Sequence, residues 1–291
     1  IHFMHTVKSR EAIREAYFEH PVRVFVCDCQ DELHKILAET NLAPDLDIFV
    51  RLALPKNDEA KYDFSIKFGA APDTAITLLK EARLVAHRVG VMFHVGSQCT
   101  SPAAFHRGIA TAAYVISAAG VPVDFLDVGG GFPVTYPHQP VPPLSDFFTE
   151  IHRAIDAHGL SHLTLFCEPG RALVADSGRL IARVELRKDN VLYLNDGTYG
   201  GLIEAANMYG FVYPTRIIRN PLHVGDHDDT TLMPFRFCGP TCDSVDMMDG
   251  PFLLPADIAE GDWIDIRKTG AYSAACRSNF NGFGKTLTLV L

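Results

Sequence analysis

The chain has 291 residues, 47% hydrophobic and 21% charged, with a net charge of −9 when its 13 histidines are counted neutral. That is enough apolar material for one large domain or two moderate ones with buried cores. No apolar run nears the ~20 residues a membrane span needs, and the absence of a dense Lys/Arg cluster argues against a nucleic-acid binder.

The sequence opens at Ile1, in an apolar stretch, without Met and without a basic-then-apolar leader. We read it as starting downstream of its natural beginning. Apolar runs follow at Ile1–Met4, Val22–Cys27, Ile48–Ala53, Val91–Val95, Phe125–Val128 and Leu163–Cys167. Helical patterns lie between them at Asp31–Ala38, Asp73–Arg88 and Pro102–Ala119. The last has Ser101 as a candidate N-cap, Pro102 at the first helical position and Gly120 as its stop. Strand and helix in alternation predict βα units and a parallel sheet. Six such strands are two short of a closed (β/α)8 barrel. The proline-rich stretch Tyr136–Pro143 reads as a loop inside this barrel portion.

Past about Leu180 helical patterns thin out. Strands are expected at Arg183–Leu186, Val191–Asn195, Pro234–Cys238, Asp262–Ile266 and Leu287–Leu291, with a mobile polar loop over Arg219–Thr231. The expected division is therefore a barrel portion over residues 1–180 and a β-domain over 181–291. The seven cysteines are irregularly spaced and form no CxxC pair, so zinc binding is not expected and no metal is assigned. Reduced thiols in a cytoplasmic protein are the expected state.

Chemistry-bearing residues cluster where the early strands end: His94 to Ser97, Asp127 to Gly131, and Glu168 to Arg171. Active sites of βα barrels lie at that end of the strands. Gly129-Gly130-Gly131 would let backbone N–H groups approach an anion. A tight turn without a ligand would have the same sequence. Glu168 and Arg171 suit opposite ends of one small ligand, the acid on a heterocyclic nitrogen and the guanidinium on a phosphate. A local ion pair is the alternative. A single histidine such as His94 is more often structural, but its place on the same rim favours a functional role.

The strings FHVGSQC (93–99), LDVGGGFP (126–133), EPGR (168–171), YLNDGTYG (193–200), GPTCDS (239–244), GDW (261–263), GAY (270–272) and FNGF (280–283) stand in a fixed order. In that order and spacing the chain resembles the fold-type III, pyridoxal 5′-phosphate (PLP)-dependent basic amino-acid decarboxylases of the ornithine decarboxylase type. The resemblance implies a PLP-binding (β/α)8 barrel joined to a C-terminal β-domain, working as a homodimer with shared active sites. It implies that His94 stacks on the pyridine ring and that Glu168 keeps the ring nitrogen protonated. Ser97, Gly129, Gly130, Gly131, Gly170, Arg171 and Tyr272 would hold the phosphate. Cys242 would return a proton to the α-carbon and Asp243 would attract the distal ammonium, both from the partner subunit. The residues alone would favour a structural thiol at Cys242.

Two departures stand out. The family's YAVKAN-like strand, with the Schiff-base lysine, and its FDCAS-like strand do not occur in this sequence. We expect both upstream of Ile1, and expect the chain as it stands to be inactive. Lys67 matches another lysine of the family, and Lys8 and Lys56 carry no motif. The second departure is the family's Asp after the NDG motif. Its place falls on Met208, and only a shift brings Glu204 there as a second substrate acid. The implied reaction is decarboxylation of L-ornithine to putrescine. Lysine, arginine or diaminopimelate as substrate, or a non-catalytic regulatory homologue, stay open as alternatives.

Overall fold

The computed structural model describes residues 1–219 and 231–290. The chain divides into two compact units, residues 1–133 with 141–169, and residues 134–140 with 170–291. The change expected near residue 180 falls at 170. Of the loop read at Tyr136–Pro143, residues 136–140 go with the second unit and 141–143 with the first.

In the first unit the strands are β1 (His2–Phe3), β2 (Val24–Cys27), β3 (Asp47–Arg51), β4 (Ala60–Tyr62), β5 (Arg88–Met92), β6 (Ser97–Cys99), β7 (Phe125–Asp127) and β8 (Thr164–Phe166). Six of them form one parallel sheet in the order β1-β2-β3-β5-β7-β8. These are the six apolar runs read from the sequence, in the chain-sequential order of a barrel. Strands β4 and β6 make a separate antiparallel pair. Helices α1 (Arg10–Arg14), α2 (Gln30–Glu39), α3 (Pro72–Val85), α4 (Pro102–Ala119) and α5 (Leu144–Ala157) fill the connections. Helix α4 has the predicted bounds. Gly120 ends it at φ 64°, a left-handed conformation that costs glycine least. The Ser101 side chain makes no capping bond.

Register fixes which side chains share a face. Phe49, Gly90 and Phe125 are aligned across β3, β5 and β7, and Arg51, Met92, Asp127 and Phe166 form the next same-facing row toward the strand ends. Val26, Phe49, Met92 and Phe125 pack as one buried cluster. The Phe49 and Phe125 rings stack at 5.5 Å. A Cβ at Gly90 would meet the Phe49 ring at 2.6 Å, so the glycine inside β5 makes room for that stack.

The second unit holds β9 (Arg179–Lys188), β10 (Val191–Leu194), β11 (Thr215–Ile218), β12 (Leu232–Cys238), β13 (Met247–Pro255) and β14 (Trp263–Arg267), a mixed sheet in the order β11-β14-β9-β10-β12-β13. This is the expected β-domain, with two strands, β11 and β13, added. The expected strand at Leu287–Leu291 is not formed over 287–290, where Leu287, Leu289 and Val290 are exposed. Alternation alone marks a possible apolar face but supplies no pairing partner. Except for its end residues, the loop expected at 219–231 lies outside the described residues, as does Leu291.

Candidate active site

The first unit gathers its charged groups at the C-terminal ends of the parallel strands. Arg51 closes β3, His94 follows β5, Asp127 closes β7, and Glu168 follows β8. The glycine run binds these ends together. The Gly129 N–H donates to Asp127 Oδ1 at 2.7 Å, and the Glu168 N–H donates to the Gly129 carbonyl at 2.9 Å. Cβ atoms at Gly129 and Gly131 would meet the carbonyls of Phe93 and Gly96 at 2.1 and 2.3 Å. Loop-on-loop packing therefore requires these glycines whether or not an anion binds. A Cβ on Gly130 would lie 3.0 Å from His94 Nε2 and 2.7 Å from the Glu168 carbonyl, so the imidazole, the glycine and the Glu168 backbone are near neighbours. Ser97 starts β6 and is buried, paired with Tyr62.

The electrostatics of this cluster are unusual. Burial, together with the charge of Asp127, raises the Glu168 carboxyl to about 7. Arg51 only partly opposes this. Among the described residues no hydrogen bond or ion pair reaches the Glu168 carboxyl. Burial raises Asp127 to about 6 against its bond from Gly129. Burial, then the Arg51 charge, lowers His94 to about 4, so its ring is neutral at ordinary pH. Its Nδ1 accepts the Gly96 N–H at 3.0 Å, which leaves the proton on Nε2. Phe64 packs edge-on against the ring at 5.2 Å. Arg51 was missed in the sequence. The available signal was a cation within the apolar run Ile48–Ala53, at the end of β3 and on the same rim as the other motifs.

The second unit holds the remaining candidates. Arg171 opens the short helix α6 (Arg171–Val174) and is buried. Its Nη1 and Nη2 donate to Glu204 Oε2 and Oε1 at 2.8 and 2.5 Å, and Nη1 also reaches the Tyr136 hydroxyl at 3.2 Å. The guanidinium lies over the Phe211 and Tyr272 rings, 4.8 and 5.0 Å from their centres. Burial works against its charge, but Glu204 outweighs burial and keeps it charged. A Cβ on Gly170 would meet only the Tyr272 hydroxyl, at 3.6 Å. Tyr272 itself is half exposed at φ 56°.

Cys242 is exposed, with Asn281 Nδ2 3.4 Å from its sulfur. The Tyr199 hydroxyl donates to Asp243 Oδ2 at 2.5 Å and holds that acid below the ordinary carboxylate range. Asp246 fixes the loop bearing both residues. It takes the Thr198 N–H and hydroxyl on Oδ1 and the Thr241 N–H and hydroxyl on Oδ2. The three lysines weighed in the sequence lie elsewhere. Lys8 is buried on Glu32 at 2.9 Å and on the Val26 carbonyl at 2.6 Å, Lys56 pairs with Asp58, and Lys67 is exposed beside Phe68.

The barrel-ordered strands and the acids and imidazole at their ends define a cofactor-binding βα unit carried with a β-domain. The family model for the pyridoxal binding domain of pyridoxal-dependent decarboxylases matches residues 1–175. The chain belongs to this family of PLP-dependent amino-acid decarboxylases.

A lysine/ornithine decarboxylase of Selenomonas ruminantium is 30% identical, over 99% of this chain and 71% of its own length. Antizyme inhibitor 2 of Xenopus laevis is 31% identical, over 90% of this chain and 59% of its own. Among solved structures, the lysine/ornithine decarboxylase of Vibrio vulnificus with putrescine matches at TM-score 0.79 and 32% identity, over 99% of this chain and 74% of its own. The diaminopimelate decarboxylase of Helicobacter pylori with L-lysine matches at 0.80 and 26%, over 96% and 70%.

The first unit's residues fit the pyridine end of PLP. Glu168 is an unpartnered acid poised near neutrality, beside an imidazole that is itself uncharged. Such an acid gains most from a nitrogen that brings its own proton. Among the described residues no cluster could hold a metal, and no helix is long and apolar enough to cross a membrane.

Proposed function

We propose that the protein removes CO2 from a basic amino acid, L-ornithine first, giving putrescine, as a cytoplasmic homodimer. The observation that carries this is the Glu168 carboxyl, raised to about 7 with no partner of its own. When bound, PLP supplies an electron sink for the pair released as CO2 leaves. Glu168 holds the proton of the ring nitrogen, and His94, neutral and fixed through Nδ1, lies against the ring without adding charge. Ser97 and Gly129 to Gly131, with Gly170, Arg171 and Tyr272, bind the phosphate. Cys242 delivers a proton to the α-carbon and Asp243 orients the distal ammonium in the partner's site. Asp243, kept anionic by Tyr199, is what favours a cationic end group.

The test is an absorbance titration of the intact protein with PLP, followed by amine assays on ornithine, lysine, arginine and diaminopimelate. Visible-band cofactor binding lost in Glu168→Ala, with ornithine preferred, supports the reading. A preference for diaminopimelate overturns the substrate. Mixing Glu168→Ala with Cys242→Ala should restore activity in the hybrid dimer, and no restoration speaks against shared sites. The 31% identity to an antizyme inhibitor favours a second reading, a non-catalytic regulator. An intact protein that binds no PLP at all would select it.

A further inference from the structure

Glu204 does not behave as a substrate acid. It is 4% exposed, and both its oxygens are taken: Oε1 by Arg171 Nη2, and Oε2 by Arg171 Nη1 and, at 3.3 Å, by the Tyr213 hydroxyl. A carboxylate on both terminal nitrogens is the fork-on-fork geometry that a phosphate also seeks from arginine. Arg171 Nε, meanwhile, is buried without any partner. The guanidinium is thus enclosed by Tyr136, Phe211 and Tyr272, its charge cancelled and its two best-placed donors already used. An anion arriving at Arg171 meets a neutral pair rather than a free cation.

We propose that Glu204 is the internal counter-ion of an anion-binding arginine: its carboxylate holds Arg171 when no ligand is present and competes with a phosphate monoester for the same guanidinium. This rests on the reading of Arg171 as the phosphate arginine. It assigns Glu204 to control of cofactor retention rather than to the substrate amine. A phosphate gains the arginine only by displacing the carboxylate, so the phosphate group adds less to affinity here than an unpaired arginine would give.

The test compares the affinity of the intact protein for PLP with its affinity for pyridoxal, which lacks the phosphate. In Glu204→Gln the ratio of the two should rise about tenfold, and it should fall back when Arg171→Ala is added. An effect of a merely structural residue would move both affinities together and leave the ratio fixed. Glu204→Asp, with a retracted carboxylate, should raise the ratio by a smaller factor. An unchanged or lowered ratio overturns the proposal.

Because the variants remove a buried charge, the wild type provides an independent measurement. With 13C-labelled glutamate, infrared spectra should show one carboxylate band shifting as inorganic phosphate saturates the protein, and no shift overturns the proposal. If wild type binds PLP and pyridoxal equally and Arg171→Ala changes neither, it is the phosphate role of Arg171 that has failed, and not the pairing with Glu204.

Discussion

The acids at the strand ends of the first unit and three buried acids of the second are treated in opposite ways. In the first, Asp127 and Glu168 stand near each other with little compensation, and both are raised toward neutrality. In the second, Glu204 is on Arg171, Asp196 is on Arg277 at 2.7 Å, and Asp246 takes four bonds from Thr198 and Thr241. These three are bonded on both oxygens, as an unpaired buried charge is costly. An acid left open bears that cost, as titratable groups at ligand-binding sites often do. The contrast predicts that substitutions at these three bonded acids or their partners act on stability and those at the strand-end cluster act on pH behaviour.

The largest expected effect is at Arg171. Arg171→Met strands the Glu204 carboxylate in the interior and should cost about 3–5 kcal/mol of unfolding free energy. The double variant Arg171→Met with Glu204→Met should recover most of it, because two apolar side chains leave no charge to solvate. Urea denaturation of the single and double variants decides this. Equal losses in both would mean that packing, not the unpaired charge, dominates. Asp246→Ala comes next. It leaves Thr198 and Thr241 donors unbonded and should cost about 1–3 kcal/mol, read in the same titration. A loss in Asp246→Asn as large as that in Asp246→Ala would show that the neutral amide recovers none of the four bonds.

The sequence made this contrast only half visible. The six parallel strands of the first unit were legible as short apolar runs with polar or glycine residues after them, and Pro102 and Gly120 marked α4, whereas the short β4–β6 pair was not read. In the second unit β13 was hidden by Asp249-Gly250-Pro251, a turn-like string inside a paired strand. His94 and Glu168 were singled out by their expected rim positions, and both do follow parallel strands. That Glu204 would sit on Arg171, 33 residues away, was not legible, because pairing across a fold leaves no local pattern. Nor was the close packing at Gly129 and Gly131, where the contacts come from a loop more than thirty positions earlier in the chain.

The first unit's open acids give a smaller effect with a definite sign. Glu168 in the folded state titrates at about 7 rather than 4.5, so its stabilising share is present at low pH and is lost as pH rises toward and through 7. Partial exposure to solvent reduces the full shift to about 1–2 kcal/mol. Glu168→Gln should therefore be more stable than wild type at pH 8 and equal to it at pH 4, measured by denaturation at each pH. PLP should remove the difference at pH 8, since a protonated ring nitrogen supplies the missing partner. A variant less stable than wild type at pH 8 would break the contrast between open and bonded acids.

The smallest effect is on His94, and it sharpens the comparison because it opposes Glu168. His94 titrates at about 4 in the fold against 6.5 when free, so its share is present above 6.5 and is lost as pH falls. Between about 4.5 and 6.5 the histidine makes stability rise with pH while Glu168 makes it fall. Asp127, raised to about 6, adds to the Glu168 side, so two acids outweigh one histidine and the wild-type curve should fall as pH rises toward 6. Each single variant should shift that balance: a nearly flat profile in Glu168→Gln, where His94 offsets Asp127, and a steeper fall with pH in His94→Gln. Nitrogen NMR of the wild type gives the direct check, with His94 neutral and protonated on Nε2 at pH 5. A charged ring at that pH would mean that the Arg51 and burial contributions are weaker than the geometry requires, and the wild-type profile should then fall as steeply as that of His94→Gln.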